Sequence, residues 1–358
     1  MEARNAIPSF HEPVIKAPPA FLLEGVQPIR RRLVCGTGGA GIDATPRAMK
    51  AVRIHRHGAA AVLQVDEIPA PVAAFGQLLV EIHAAGVNPG DLKVRQGTIK
   101  YMKPALPHTL GRDFSGVVRE VAQGVADFLP GDAVFCVTPN GQEGAYAGLI
   151  AIDASYVAAK PANTSHTESA ALALAGLTVI VCLEETAKLK AGETVLVHGA
   201  AGGVGSFAVQ YAKSIGARVI ATARAVNHHY VRRLGADQVI DYTTTDFVAA
   251  APPCDVVYDL VGGETFRRLL RVLRPGGRLV AVGAAPIPAD ACRDDVTVLQ
   301  PLVARSRARM ERIAALADNG SVSPPEIMQF PLPHARKAHE LMESRSFRGK
   351  IVLVPENF

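Results

Sequence analysis

Four glycines that follow a short apolar run carry the clearest chemistry in this 358-residue chain. Val195, Leu196 and Val197 suit a strand buried on both faces of a sheet, and Gly199, Gly202, Gly203 and Gly205 come directly after them. A backbone free to turn sharply there opens a helix, whose unpaired N–H groups and positive dipole end favour an anion. The pyrophosphate of a dinucleotide fits that place, with Ala201, Gly202, Gly203, Val204 and Gly205 as the residues that approach it. Ala200 stands where the first glycine of the usual GxGxxG would be, so the reading rests on context: strand, turn, helix and second strand at the spacing of a βαβ unit. That second strand ends in Ala223 and Arg224, and no Asp or Glu occurs in residues 217–226. NAD-binding versions of the unit place an acid there for the ribose 2'-hydroxyl. A guanidinium pairs instead with a 2'-phosphate, so NADPH is the expected ligand.

Around this turn the chain reads as two kinds of domain. Residues 1–48 hold Pro8, Pro13, Pro18, Pro19 and Pro28 and then GTGGAG, a composition expected to be disordered, with Met49 as the functional start. Arg30, Arg31 and Arg32 do not make it a transit peptide, because four acids and the lack of an amphipathic Ser-rich stretch oppose that reading. From 49 to 171 the pattern alternates through residues 64–67, 78–83, 115–121 and 133–137, giving a β-rich domain. From 172 to 300 strands alternate with helices (194–198, 218–222, 238–240, 255–260 and 278–282), which predicts a doubly wound parallel sheet of α/β class. Residues 264–274 place Phe266, Leu269, Leu270 and Leu273 on one helical face before Pro275 stops them. The segment 301–358 offers a helix over 303–317 and a closing strand at 350–354 that rejoins the first domain.

Composition narrows the function classes. The chain is 49% hydrophobic and 20% charged, ordinary for a globular protein with well-developed cores. The formal charge of +5 is spread along the sequence without an aromatic-interleaved basic stripe, so nucleic acid is not an expected partner. The longest apolar stretch, 169–183, is broken by small residues and Thr178, and no membrane span is expected. Five cysteines without CxxC spacing read as buried thiols in a reducing cytoplasm.

Taken together, AAGVNPGDLKVRQG at 84–97, LGRDFSGVV at 110–118, GDAVF at 131–135, AGLTV at 175–179, GAAGGVGSFAVQYAK at 199–213, LGADQVIDY at 234–242, DLVGG at 259–263, LRPGGRLV at 273–280 and GKIVL at 349–353 resemble the medium-chain dehydrogenase/reductase superfamily. Within it they resemble the zinc-independent quinone oxidoreductase group. The resemblance spans roughly 49–354 and implies a GroES-like barrel domain, a Rossmann domain inserted before its last strands, and a substrate cleft between them. Zinc-using relatives have a cysteine where Asn88 stands and a histidine where Arg112 stands, so two catalytic ligands are missing. His108 and Asp113 remain nearby, but zinc needs three protein ligands and the pair reads as structural; the four-cysteine lobe of a structural zinc is also missing.

Metal-free hydride transfer to a quinone or an α,β-unsaturated carbonyl is the activity this implies, with the cofactor carrying the chemistry. Asn88 is the first candidate donor to the developing oxyanion, and Tyr101 and Tyr146 are candidate phenolic donors. The resemblance places Thr178 at the nicotinamide and Tyr242 near the adenosine phosphate. Arg345 and Lys350 are candidates for cofactor phosphates, and Gly262 and Gly283 end strands at the ligand-binding edge. A homodimer is expected by analogy. Two other readings stay open: an NADPH-binding protein with a non-catalytic or regulatory role, and a methyltransferase suggested by LRPGGRLV alone, which the lack of an acid at 223–224 opposes.

Overall fold

The apolar runs flanking the glycines stand side by side in a sheet of six parallel strands. In space the order is Gln238–Ile240, Arg218–Thr222, Thr194–His198, Cys254–Asp259, Leu273–Ala281 and Thr297–Leu299. In chain order this is 3-2-1-4-5-6, the doubly wound arrangement, and the direction in which strands are added reverses between the first and fourth strands. Val195, Leu196 and Val197 are fully buried because helices cover both faces. The computed structural model describes residues 48–99, 104–142, 144–282, 287 and 293–355. The expected disordered extension, apart from Ala48 at the head of the first strand, lies outside the described residues, as do Tyr101 and Gly283.

The first three strands of the parallel sheet coincide with the sequence reading, and the next two begin earlier. The helix expected over 264–274 spans only Thr265–Leu270. Leu273 already pairs with Cys254, and the register shifts before Arg278 meets Val256, so Pro275, Gly276 and Gly277 form an irregularity inside a strand. Leu273 is buried as expected, from the strand rather than from the helix. The later helix starts at Arg307, where the Ser306 hydroxyl caps it, and runs to Asp318.

The remaining strands form the GroES-like domain. A seven-stranded sheet runs Ile327–Pro331, Lys350–Val354, Gln77–Val87, Asp113–Val121, Ala133–Val137 and Val157–Ala159, with Leu149–Asp153 also paired to Gln77–Val87. A smaller sheet joins Leu63–Pro69, Ala48–Ile54 and His108–Thr109. The closing strand, Lys350–Val354, lies antiparallel to Gln77–Val87.

One helix packs against the seven-stranded sheet and, on the nucleotide-domain side, against the helix Gly203–Ser214. It begins at His166 behind a Ser165–Glu168 capping box, continues to Val179 and widens to π geometry over Ile180–Thr186. The expected domain boundary at 171/172 falls inside it. At 21 residues His166–Thr186 is, by length and composition alone, long and apolar enough to cross a membrane. Most of it is buried inside the protein, between the seven-stranded sheet and neighbouring helices. Cys136, Cys182 and Cys254 are buried and free, and burial raises the Cys182 and Cys254 thiols to about 12.

Gly205 is where the cofactor helix, Gly203–Ser214, crosses the first strand's turn. A Cβ there would stand 2.4 Å from the Gly199 carbonyl oxygen and 2.7 Å from Ala200 Cα, both backbone. At Gly202 the nearest atom would be 3.8 Å away. Gly205→Ala is therefore expected to lower stability by about 1–3 kcal/mol in urea unfolding, and Gly202→Ala to change it by less than about 0.5 kcal/mol. Equal effects would contradict this packing.

Candidate active site

The glycine turn presents an anion cradle. Ser206 N–H donates to Gly202 O at 2.8 Å as the first helical bond, which leaves the N–H groups of Gly203, Val204 and Gly205 without intrahelical partners. The turn is braced from below by two residues that the sequence did not mark: Thr222 Oγ1 accepts from Gly199 N–H (3.2 Å) and pairs with His198 Nδ1 (2.8 Å). Both are buried at strand ends with no local motif to flag them. Burial holds the His198 imidazole below its ordinary pKa, against the pull of Asp259. Asp259 accepts N–H bonds from Val261 (3.0 Å) and Gly262 (2.9 Å), which makes Gly262 the turn of the fourth strand.

Arg224 and Tyr242 meet at the sheet edge, Arg224 Nε donating to the Tyr242 hydroxyl at 3.2 Å. Parallel register explains the meeting: Thr222 lies opposite Ile240, so residues two further along each strand leave the sheet at the same height. Asp241 is nearby but faces Ala225 and Thr243, whose hydrogen bonds hold its carboxyl below the usual range. A nicotinamide dinucleotide fits these residues: open space over Gly202, a helix N-terminus, and a guanidinium backed by a phenol.

The donor candidates behave differently. Asn88 caps the helix Pro89–Gln96 and is buried. Its Nδ2 donates to Asp113 Oδ1 at 2.6 Å and to Gly86 O at 3.3 Å, and its Oδ1 accepts from the Lys350 ammonium. Both amide hydrogens are thus engaged inside the protein, which corrects the picture of Asn88 as a free donor. Lys350 turns inward: its ammonium lies 3.6 Å from Asp113 Oδ2, so its charge is neutralised there rather than offered to a phosphate. Asp113, expected beside His108, is held instead by Asn88, Lys350 and the Leu174 N–H (3.3 Å).

Tyr146 is fully buried. Its hydroxyl donates to Asp91 Oδ2 and accepts from His339 Nε2, each at 3.2 Å. The tautomer follows from the neighbour: Arg95 can only donate, so His339 Nδ1 accepts from it at 3.3 Å and Nε2 carries the hydrogen. Arg95, itself fully buried, also pairs with Glu343 and donates to Gly58 O at 3.1 Å. Asp91 additionally accepts from Asn88 N–H at 2.8 Å and lies 3.3 Å from Arg112 Nε. The spacing Asn88–Pro89–Gly90–Asp91 is a cap followed by an acid at the third helical position, a signal for Asp91 that was legible in the sequence.

Thr178 is buried in its helix and donates to Leu174 O at 2.7 Å. Arg345 closes the helix Ala335–Ser344 in a left-handed conformation, and among the described residues nothing ties its side chain to the glycine turn. The residue that does reach the turn is Gly349, whose N–H donates to Ala201 O at 2.8 Å beside a bridge to Gly202. Among the described residues no group of three His, Cys, Asp or Glu is placed to hold a metal.

Comparison with known proteins matches this geometry. Residues 74–162 match the alcohol dehydrogenase GroES-like domain family, and residues 234–353 the family described as zinc-binding dehydrogenase. Quinone oxidoreductase 1 of Escherichia coli (strain K12) is 33% identical over 329 residues, covering 85% of this chain and 99% of that protein. The chain belongs to the quinone oxidoreductase family of medium-chain dehydrogenases/reductases. The chloroplastic NADPH-dependent alkenal/one oxidoreductase of Arabidopsis thaliana is 32% identical over 321 residues, 87% of this chain and 80% of that one. The crystal structure of the Escherichia coli quinone oxidoreductase complexed with NADPH superposes with a TM-score of 0.79 at 32% identity, covering 86% of this chain and all of that one. This quinone oxidoreductase relative is thus an oxidoreductase with a Rossmann-type domain for a nicotinamide cofactor.

Burial and the Arg95 charge push the His339 pKa down to about 3, and burial with His83 and Lys160 pushes His166 to about 4. Both imidazoles are held neutral in the fold and take up protons on unfolding. Their contribution is complete above pH 6.5 and is lost as pH falls from there towards 4 and 3. Unfolding free energy is expected to drop between pH 7 and pH 4, with His339 alone giving on the order of 3 kcal/mol. His339→Gln should flatten that slope; an unchanged slope would contradict the assignment.

Proposed function

We propose that this protein reduces quinones or α,β-unsaturated carbonyls with NADPH and without zinc. The observation that carries the reading is the fate of Asn88 and Arg112, the two positions where zinc-using relatives place ligands. Each is tied into a buried charge pair, Asn88 between Lys350 and Asp113, Arg112 against Asp91. The Asn88 amide oxygen is taken by the Lys350 ammonium, and Arg112 presents a guanidinium, which has no lone pair to offer a zinc ion.

When bound, NADPH supplies the hydride, and a proton from solvent completes the two-electron reduction. The chain's own part is to hold and to exclude. The helix N-terminus at Gly203 favours the pyrophosphate, and Arg224 backed by Tyr242 favours the 2'-phosphate. The Asn88 amide hydrogens and the Tyr146 hydroxyl, two of the donor candidates, are engaged elsewhere. That supports acceptors that delocalise the incoming charge themselves, such as a quinone ring or an enone.

Arg224→Ala is expected to lower kcat/KM for NADPH ten- to a hundredfold, the range of one charge-assisted phosphate contact, and to leave NADH turnover within about threefold. Benzoquinone reduction should be unaffected by EDTA. Equal use of NADH and NADPH by the wild type would contradict the phosphate assignment, and tight NADPH binding without oxidation by quinones or enones would favour the non-catalytic role.

A further inference from the structure

Thr222 holds the entrance of the glycine turn through its side chain and its backbone together. It ends the second strand of the parallel sheet, fully buried, in register with His198 at the end of the first. Its hydroxyl oxygen accepts from Gly199 N–H at 3.2 Å, and its carbonyl accepts from Ala200 N–H, also at 3.2 Å. Successive peptide units of the turn are thereby fixed by one residue of the neighbouring strand. Gly199 sits there at φ +92°, and its own carbonyl accepts from Gly202 N–H at 3.4 Å and lies against Gly205, where a Cβ would come within 2.4 Å of it. The helix opens directly after Gly202. Orientation therefore passes from Thr222 through Gly199 and Gly202 to the N–H groups that face an anion.

The hydroxyl is itself oriented. One lone pair of Thr222 Oγ1 serves Gly199, and among the described residues the hydroxyl hydrogen has His198 Nδ1 to go to, at 2.8 Å. A valine in place of Thr222 would nearly keep the volume and lose both contacts, leaving Gly199 N–H without a partner in the interior. The 2'-phosphate edge is held by other bonds: Arg224 Nε donates to the Tyr242 hydroxyl at 3.2 Å, and Ala225 N–H donates to Asp241 at 3.1 Å. The two ends of a bound dinucleotide thus meet parts of the protein that are braced separately.

Resting on the NADPH reading above, we propose that Thr222 is a positioning residue for the cofactor diphosphate: its hydroxyl, directed by His198, holds Gly199 so that the turn keeps its binding shape before the cofactor arrives. A turn that adopts this shape for only a fraction of the time loses apparent affinity by that fraction. One missing hydrogen bond is enough to make the fraction about a tenth.

The test uses the full chain with T222V, T222S, H198Q and H198N. An asparagine side chain reaches as far as Nδ1 and a glutamine as far as Nε2, so H198N keeps a partner for the Thr222 hydroxyl and H198Q does not. Kd is read by titration calorimetry for NADPH and NADH, and by ligand-observed NMR for 2'-AMP, which carries the adenine and the 2'-phosphate but no diphosphate; folding is read by circular dichroism and Tm. T222V is expected to weaken NADPH and NADH about tenfold each and to leave 2'-AMP within about twofold, while T222S stays within about twofold of the wild type for all three. H198Q should weaken both dinucleotides more than H198N does. Equal loss of all three ligands in T222V would make Thr222 merely structural, and full affinity for both dinucleotides would show that the turn keeps its shape without the hydroxyl; either result overturns the proposal. If T222V does not fold, equal NADPH affinity of H198Q and H198N overturns it. A wild type that binds NADPH but reduces neither quinone nor enone ends the reductase reading, and the pattern of Kd across the variants still decides the role of Thr222. A wild type that binds neither dinucleotide overturns both.

Discussion

The structure depends on a single backbone crossing, that of Gly349 over the glycine-rich turn. Gly349 has φ +71°, and a Cβ there would stand 1.9 Å from the Glu326 carbonyl oxygen, so no other residue fits without moving the backbone. From this crossing its N–H reaches Ala201 O, and the chain then enters the seven-stranded sheet as Lys350–Val354. One residue thus pins the mouth of the nucleotide domain to the last strand of the other domain. The polar arrangement around Asn88 is set by where that strand begins.

That arrangement is a compact cluster of buried charge. Lys350 meets Asp113, Arg112 meets Asp91, and Asn88 lies between the two pairs, joined to Asp113 by its side chain and to Asp91 by its backbone N–H. Removing one member of such a set leaves its partner charged in the interior, which is costly. The pairs are therefore interdependent. The second network, Glu343 to Arg95 to His339 to Tyr146 to Asp91, ties the C-terminal helix to the same point. Among the described residues the polar groups of this cluster satisfy one another.

Much of this was legible in the sequence where the signal was local or where register carries it. Thr194–His198, the glycines and Arg218–Thr222 succeed one another within a single βαβ unit, and the meeting of Arg224 with Tyr242 comes from two neighbouring parallel strands. Long-range partners were not legible. Lys350 and Asn88 are separated by 262 positions, and a lysine near a phosphate-binding turn reads as a phosphate ligand until the strand register turns it inward. Tyr146 reads as a cleft residue until His339, 193 positions away, closes over it. The helix expected at 264–274 continued its apolar period through Leu273, because period alone does not separate a helix end from the first inward residue of the next strand. The apolar helix at His166–Thr186 shows the same limit: composition cannot tell a lipid surround from a protein one.

The proposed function requires the glycine turn and the Arg224–Tyr242 edge to form an NADPH site that needs no metal. Thermal unfolding of the full chain with equal concentrations of NADPH or NADH, each in EDTA, tests it most directly. NADPH is expected to raise Tm clearly more than NADH, as for a ligand bound at least about tenfold more tightly, with EDTA making no difference. Equal shifts, no shift, or a shift abolished by EDTA would contradict it.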